Sequence, residues 1–390
     1  MTTIFHAGIV YAPEEVIHDG IVAVSDAGKI SYVGRSSEAP KVDGQRIDVG
    51  GRILAAGLID IHVHGGKGIT FDVEGDIPGY LRDYARWVTS TGVTGFLCSI
   101  AGPTAAALES GIKGYVEALE AGVAGGAEPL GLHLEGPFIS LEKKGAFNPA
   151  WVRPPSIAEA NGYLDAGGRW IRQMTLAPDH EGAKEIAARY RKQGVVVALG
   201  HTNLDYEGAS EALRGDWTHV THTFNAQRGF DHRAPGTFGA VLTSDGTTAE
   251  LIADAIHVHP AAMKVLLRCL GVDRVVLITD AMAGAGMADG EYDLVGQHIT
   301  LRQGKATLSD GTLAGSAATL NQCVRNVHQK VGLPLHQAVQ MASLNPARAM
   351  GFADRMGSLT VGKDANLMII DEDVNVHLTM VKGSVVYNRL

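Results

Sequence analysis

The strongest constraint on the fold is a repeated alternation. Apolar runs recur at Ile53–Ile61, Thr94–Ile100, Leu130–Leu134, Ile171–Leu176, Val195–Leu199, His219–Thr223, Ala249–Ile256 and Val275–Ile278. Each is short and nearly continuous in apolar side chains, the pattern of parallel strands buried on both faces. Helical patterns lie between most of them. Ile77, Leu81, Tyr84 and Val88 share one helical face, and Glu181–Lys192, Tyr206–Arg214 and Pro260–Leu270 have the same period. These eight strand–helix units predict an α/β fold, a (β/α)8 TIM-like barrel with its active site at the C-terminal strand ends. The 49 glycines fit a chain with many tight strand–loop–helix junctions.

The two ends are patterned differently. Thr3–Val10, Ile21–Val24 and Ile30–Val33 are β-rich, and Asp26-Ala27-Gly28-Lys29 reads as a hairpin turn. Asn366–Ile370, Leu378–Val381 and Val385–Tyr387 repeat the character at the other end. Chain ends often lie close in space. The expectation is one small β-sandwich domain from residues 1–54 and 357–390, and a catalytic barrel domain over 55–356.

Composition narrows the partners. Lys+Arg 33 against Asp+Glu 42 gives a net charge of −9. No basic cluster is visible, which argues against nucleic acid. No apolar run reaches the ~18 residues of a membrane span. Cys98, Cys269 and Cys323 are too few and too scattered for a disulfide framework, so a reducing compartment is expected. Met1–His6 shows neither a basic nor an apolar leader pattern, so the expected compartment is the cytoplasm.

The polar residues interrupting the strands fall at their C-terminal ends. The first strand closes with Asp60-Ile61-His62-Val63-His64, where His62 and His64 share a face. His133-Leu134-Glu135, Gly200-His201, Thr221-His222 and Thr279-Asp280 close others. A lone histidine at a strand end is commonly a satisfied polar residue, and a lone aspartate commonly a helix cap. Six such groups on one barrel rim are another matter, because burying each unpaired costs several kcal/mol. A divalent cation satisfies His62, His64, Glu135, His201 and His222 together, with Asp280 as a ligand or a base. Cys98 has no neighbouring base and is not expected to be a nucleophile. His257 and His259 form another alternating pair at the seventh strand, and His133 shares the face of Glu135.

The run Gly57-Leu58-Ile59-Asp60-Ile61-His62-Val63-His64-Gly65-Gly66 resembles the opening motif of the amidohydrolase superfamily, and Gly357–Leu367 its return into a terminal β-sandwich. Within it, His133–Phe138, Lys144-Gly145-Ala146, Gly200-His201-Thr202, Thr221–Ala226, Ala253–Val258, Thr279-Asp280-Ala281, Leu313–Ser316 and Asn345–Arg348 are similar to the N-acetylglucosamine-6-phosphate deacetylase family. The resemblance implies metal-dependent removal of the N-acetyl group of N-acetyl-D-glucosamine 6-phosphate. Glu135, His201 and His222 would hold the tighter ion, and His62 and His64 make this chain like members that take two. Zinc would be the expected metal, and Asp280 the catalytic acid/base. Asn225, Ala226, Arg233, His257, Ala146 and Gly315 match sugar-phosphate-binding positions, with Arg233 reaching the neighbouring active site of a homodimer. Two positions depart from the family: Phe147 stands where histidine is usual, and Ala234 where glutamate is usual. They leave open a different N-acyl amino sugar, such as N-acetylgalactosamine 6-phosphate, or another amidohydrolase reaction. A non-catalytic assembly protein would lack ligands or base, and here all are present.

Overall fold

The computed structural model describes residues 2–41 and 43–390. Eight parallel strands make one sheet: β1 Leu58–Val63, β2 Val93–Ile100, β3 Glu128–Glu135, β4 Ile171–Thr175, β5 Val196–Leu199, β6 His219–Val220, β7 Thr248–Ile252 and β8 Val275–Ile278. Each strand is laddered to its neighbours in sequence order. Past the end of the β8 ladder, Asp280 N–H donates to His62 O (2.8 Å) and His64 N–H to Ala281 O (2.8 Å), which draws β8 against β1. The expected barrel is therefore what the chain forms.

Alternation along the strands sorts the core. On β3, Leu132 and Leu134 point outward into the core shared with the helices, and His133 and Glu135 alternate with them. On β7, Ala249 and Leu251 face that core and alternate with Glu250. A separate apolar cluster of Ile59, Leu97, Leu130 and Val276 is closed by Met350, Phe352 and Met356 from the end of the barrel segment. The outer helices include Ile77–Val88, Ala105–Ala121, Ile157–Gly167 and Tyr206–Arg214. Asp76, Thr104, Ser156 and Asp205 cap them by accepting from first-turn N–H groups. No helix of the described residues is long and apolar enough to cross a membrane.

Both termini join one eight-stranded sheet, separate from the barrel, around a shared core that includes Phe5, Val22, Leu54, Leu367 and Leu378. One expected run divides. Ile53–Ala56 pairs with Leu367–Ile370 in this sheet, and only Leu58–Val63 enters the barrel. Gly57 is the joint. A Cβ there would lie 2.2 Å from Thr94 Cγ2, so the close crossing needs glycine. A three-stranded antiparallel sheet of Gly290–Leu294, Gln297–Arg302 and Lys305–Thr307 was not expected. Its turns at Val295-Gly296 and Gln303-Gly304 have positive φ at both residues, the geometry of tight hairpins.

Candidate metal centre

The strand ends bring all six candidate groups together. Glu135 lies at the middle of the cluster. Its Oε1 is 3.3 Å from His62 Nε2, 3.3 Å from His201 Nε2 and 3.2 Å from His222 Nε2. Its Oε2 is 3.0 Å from His64 Nε2. Asp280 Oδ1 is 3.5 Å from His62 Nε2 and 3.4 Å from His64 Nε2. Two groups of ligand atoms result, His62–His64–Asp280 and Glu135–His201–His222, each closely spaced.

The backbone is bent to aim these side chains. His201, His222, Ala226 and Asp280 have φ of 48°, 26°, 50° and 49°, in the left-handed region that non-glycine residues rarely occupy. Such conformations cost of order 1–3 kcal/mol each and cluster at functional sites. Here they end the strands abruptly and turn ligands inward.

Several observations fit a divalent cation. His62 Nε2 is buried without a hydrogen-bond partner, beside two carboxylates. His201 Nε2 and His222 Nε2 face each other at 3.0 Å. The imidazole–carboxylate donor set suits zinc and similar ions. Burial lowers the pKa of His62, but Glu250, Glu135 and Asp280 outweigh it and hold His62 well above its ordinary value. Burial is likewise outweighed at His64, where Asp280 and Glu135 push it up to about 9. Burial raises Asp280, yet His62 and His64 bring it below the usual carboxylate range.

A second layer supports the first. His201 Nδ1 bonds Lys143 O at 2.7 Å. Glu250 Oε2 accepts from His62 Nδ1 at 2.8 Å and from the His222 N–H at 2.9 Å. Its Oε1 contacts Gln173 Nε2 at 2.7 Å and His219 Nε2 at 3.2 Å. His133 bridges Ser99 Oγ and Thr175 Oγ1, both at 2.8 Å, and burial keeps it neutral, well below its ordinary pKa. Asp60, pushed by burial up to about 7, bonds the Thr279 hydroxyl at 2.6 Å. Glu250, Gln173 and His219 were not anticipated. The available signal was a lone carboxylate inside the apolar run of β7.

Above the centre opens a cavity of about 250 Å³. Ala146, Asn225, Ala226, His257 and Gly315 line it with His64, Glu135, His201, His222 and Asp280. Phe147 also lines it, buried and edge-on to His201 with ring centroids 5.3 Å apart. Leu294 and Val295 of the small antiparallel sheet complete the wall. Arg233 is exposed and not among the lining residues, and no lysine or arginine is found among them. The pair His257 and His259 is not on a strand, since β7 ends at Ile252. His257 Nδ1 bonds Asp254 Oδ2 at 2.7 Å, whereas His259 caps the helix Pro260–Leu270. Burial lowers His257, but Asp254 outweighs it and raises its pKa. Cys98 is buried, and burial pushes its thiol well up, as befits a core residue.

The sequence pattern of the amidohydrolase family matches residues 53–386. The N-acetylglucosamine-6-phosphate deacetylase of Bacillus subtilis (strain 168) is 36% identical over 378 residues, 96% of this chain and 94% of that one. The N-acetylgalactosamine-6-phosphate deacetylase of Escherichia coli O157:H7 is 34% identical over 94% of this chain and 93% of its own. A mutant N-acetyl-D-glucosamine-6-phosphate deacetylase from Mycobacterium smegmatis, solved with N-acetyl-D-glucosamine-6-phosphate, superposes with a TM-score of 0.92. It is 32% identical, over 99% of this chain and 100% of that one. The resemblance carried by the motifs is borne out, and the chain belongs to the amidohydrolase family.

Proposed function

We propose that the chain hydrolyses the acetamide of N-acetyl-D-glucosamine 6-phosphate, giving D-glucosamine 6-phosphate and acetate. One observation carries this reading: four of the five candidate ligands (His64, Glu135, His201 and His222), Asp280 and five of the sugar-binding positions given by the resemblance border a single cavity. In this reading Glu135, His201 and His222 hold the tighter ion and His62 and His64 a second, with zinc the best match to the donors. A bound divalent cation lowers the pKa of water towards neutrality and polarises an amide carbonyl. Asp280, whose carboxylate stands on the cavity wall, takes a proton from the attacking water. It then returns that proton to the departing amine nitrogen, acting as base and acid in turn. Asn225 and the Ala226 N–H orient the sugar, with Ala146 and Gly315 lining its seat. His257, hydrogen-bonded through Nδ1 to Asp254, which raises its pKa, meets the phosphate.

We assign the missing cationic contact to Arg233 of a second copy in a homodimer. Support comes from its exposure and from a cavity wall without lysine or arginine among the described residues. A guanidinium makes paired, charge-assisted hydrogen bonds to phosphate oxygens. We further take residues 1–54 with 357–390 as one β unit and 55–356 as the catalytic unit. The three cysteines are unpaired, which suits the cytoplasm.

A second substrate reading rests on Phe147. Its ring stands in the cavity wall where a hydrogen-bond donor is usual for the family, and relatives include a deacetylase named for the galacto epimer. Acetate release from a panel of N-acetylhexosamine 6-phosphates and their unphosphorylated counterparts tests both. Turnover of the gluco phosphate is expected, with little from free sugars. No release from any phosphosugar overturns the function.

A further inference from the structure

We infer that Glu250 is a positioning residue that builds the His62–His64–Asp280 ion site: its carboxylate holds the proton of His62 on Nδ1, and its negative charge makes Nε2 the stronger ligand. The inference rests on the metal reading above and concerns a residue that no motif marked.

Glu250 is fully buried in β7, below the ligand cluster. A buried carboxylate is costly unless paired and hydrogen-bonded. All its neighbours answer that need: Gln173 and His219 at one oxygen, His62 and the His222 N–H at the other. The contacts to the two ion groups differ in kind. At His222 the carboxylate holds only the backbone N–H and leaves the ring free. At His62 it holds the ring itself, 2.8 Å from Nδ1. A carboxylate there accepts a hydrogen bond, so Nδ1 carries the proton and Nε2 presents its lone pair once an ion displaces the other proton. That same Nε2 is the buried atom left without a hydrogen-bond partner, 3.5 Å from Asp280 Oδ1. With the opposite tautomer, the Nδ1 lone pair would face a carboxylate oxygen, and Nε2–H could donate to Glu135 or Asp280 but could not bind an ion. The neighbouring His133 ring packs edge-on at 4.5 Å and limits rotation as an escape.

Glu250→Gln isolates the charge. Gln173 Oε1 has no partner, so its amide can turn over to receive the new NH₂ group, and the remaining oxygen keeps facing His62. The test is zinc titration of the metal-free protein by calorimetry. Wild type should bind in two phases, and His62→Ala should abolish the weaker one. Glu250→Gln should weaken that same phase about 10–100-fold, the usual effect of losing an outer-shell partner, and leave the tighter phase within about threefold. Equal weakening of both phases would mean a merely structural role and overturns the inference, as does no change in either. A wild type with a single phase also overturns it, because there is then no second site to build. A wild type binding no ion overturns the metal reading itself. Should Glu250→Gln fail to fold, ¹⁵N-histidine spectra of zinc-loaded wild type decide. The His62 signals, identified by their loss in His62→Ala, should show a protonated Nδ1 and a zinc-bound Nε2. An unprotonated Nδ1 overturns the inference.

Discussion

Asp280 combines three features: a left-handed backbone, proximity to His62 and His64 at the end of β1, and a place on the cavity wall. Asp280→Asn keeps the size and removes the proton acceptor, so kcat should fall about 10²–10⁴-fold with the Glu135–His201–His222 ion retained. Parallel metal analysis and steady-state kinetics check this, and a loss below about tenfold moves proton transfer to another group. Phe147 contributes surface but no donor. A hydrogen bond restored by Phe147→His is worth about 0.5–1.5 kcal/mol, roughly two- to tenfold in kcat/KM. That gain is expected on the gluco phosphate, which wild type should prefer. A tenfold wild-type preference for the galacto epimer would change the substrate assignment. His257 gives a pH signature. Its raised pKa means that it stays charged above the ordinary ~6.5 and becomes neutral as pH rises through the raised value. Phosphate affinity should therefore hold while the phosphate becomes a dianion near its pKa of ~6, then weaken as pH rises through the raised pKa of His257. A pH profile of KM should show this upward limb in wild type and lose it in His257→Gln.

At the scale of elements, the strands were legible because a doubly buried strand must be apolar throughout, and the ligands because they break that rule at strand ends. The same uniformity hid the division of Ile53–Ile61. Nothing in its hydropathy marks where one sheet hands over to another; only the tight approach of Gly57 to Thr94 does. Gly290–Thr307 was not legible although Gly296 and Gly304 punctuate it, because its strands are short and half exposed and lack the continuous apolar character of the barrel strands. Glu250 was invisible because one carboxylate within an apolar run reveals its partners only when β1, β4 and β6 are folded beside it. One local rule yields a test. Gly65, just after His64, has φ of 152°, and a Cβ there would sit 1.9 Å from Ile69 O. Gly65→Ala should cost about 1–3 kcal/mol, read as a lower urea midpoint, and should perturb the ion at His62–His64 before the other.

The whole molecule is where the phosphate contact must be tested. Mixing Arg233→Ala chains with Asp280→Asn chains should recover activity, since some sites would combine an intact Asp280 with an intact Arg233 from the other chain. Absence of recovery argues for a site complete within one subunit. Arg233→Ala alone should raise KM for the phosphorylated sugar and leave the unphosphorylated one nearly unchanged. The joint at Gly57 has a consequence of its own. Ile53–Ala56 and Leu58–Val63 are successive stretches of one backbone, so any opening of the terminal ladder tugs on the segment that carries His62 and His64. Glu135, His201 and His222 hang from strands without such a tether. On warming, the chain should therefore shed its ions in order, giving up the one at His62–His64 as the ends of the chain begin to fray and the other only when the barrel melts.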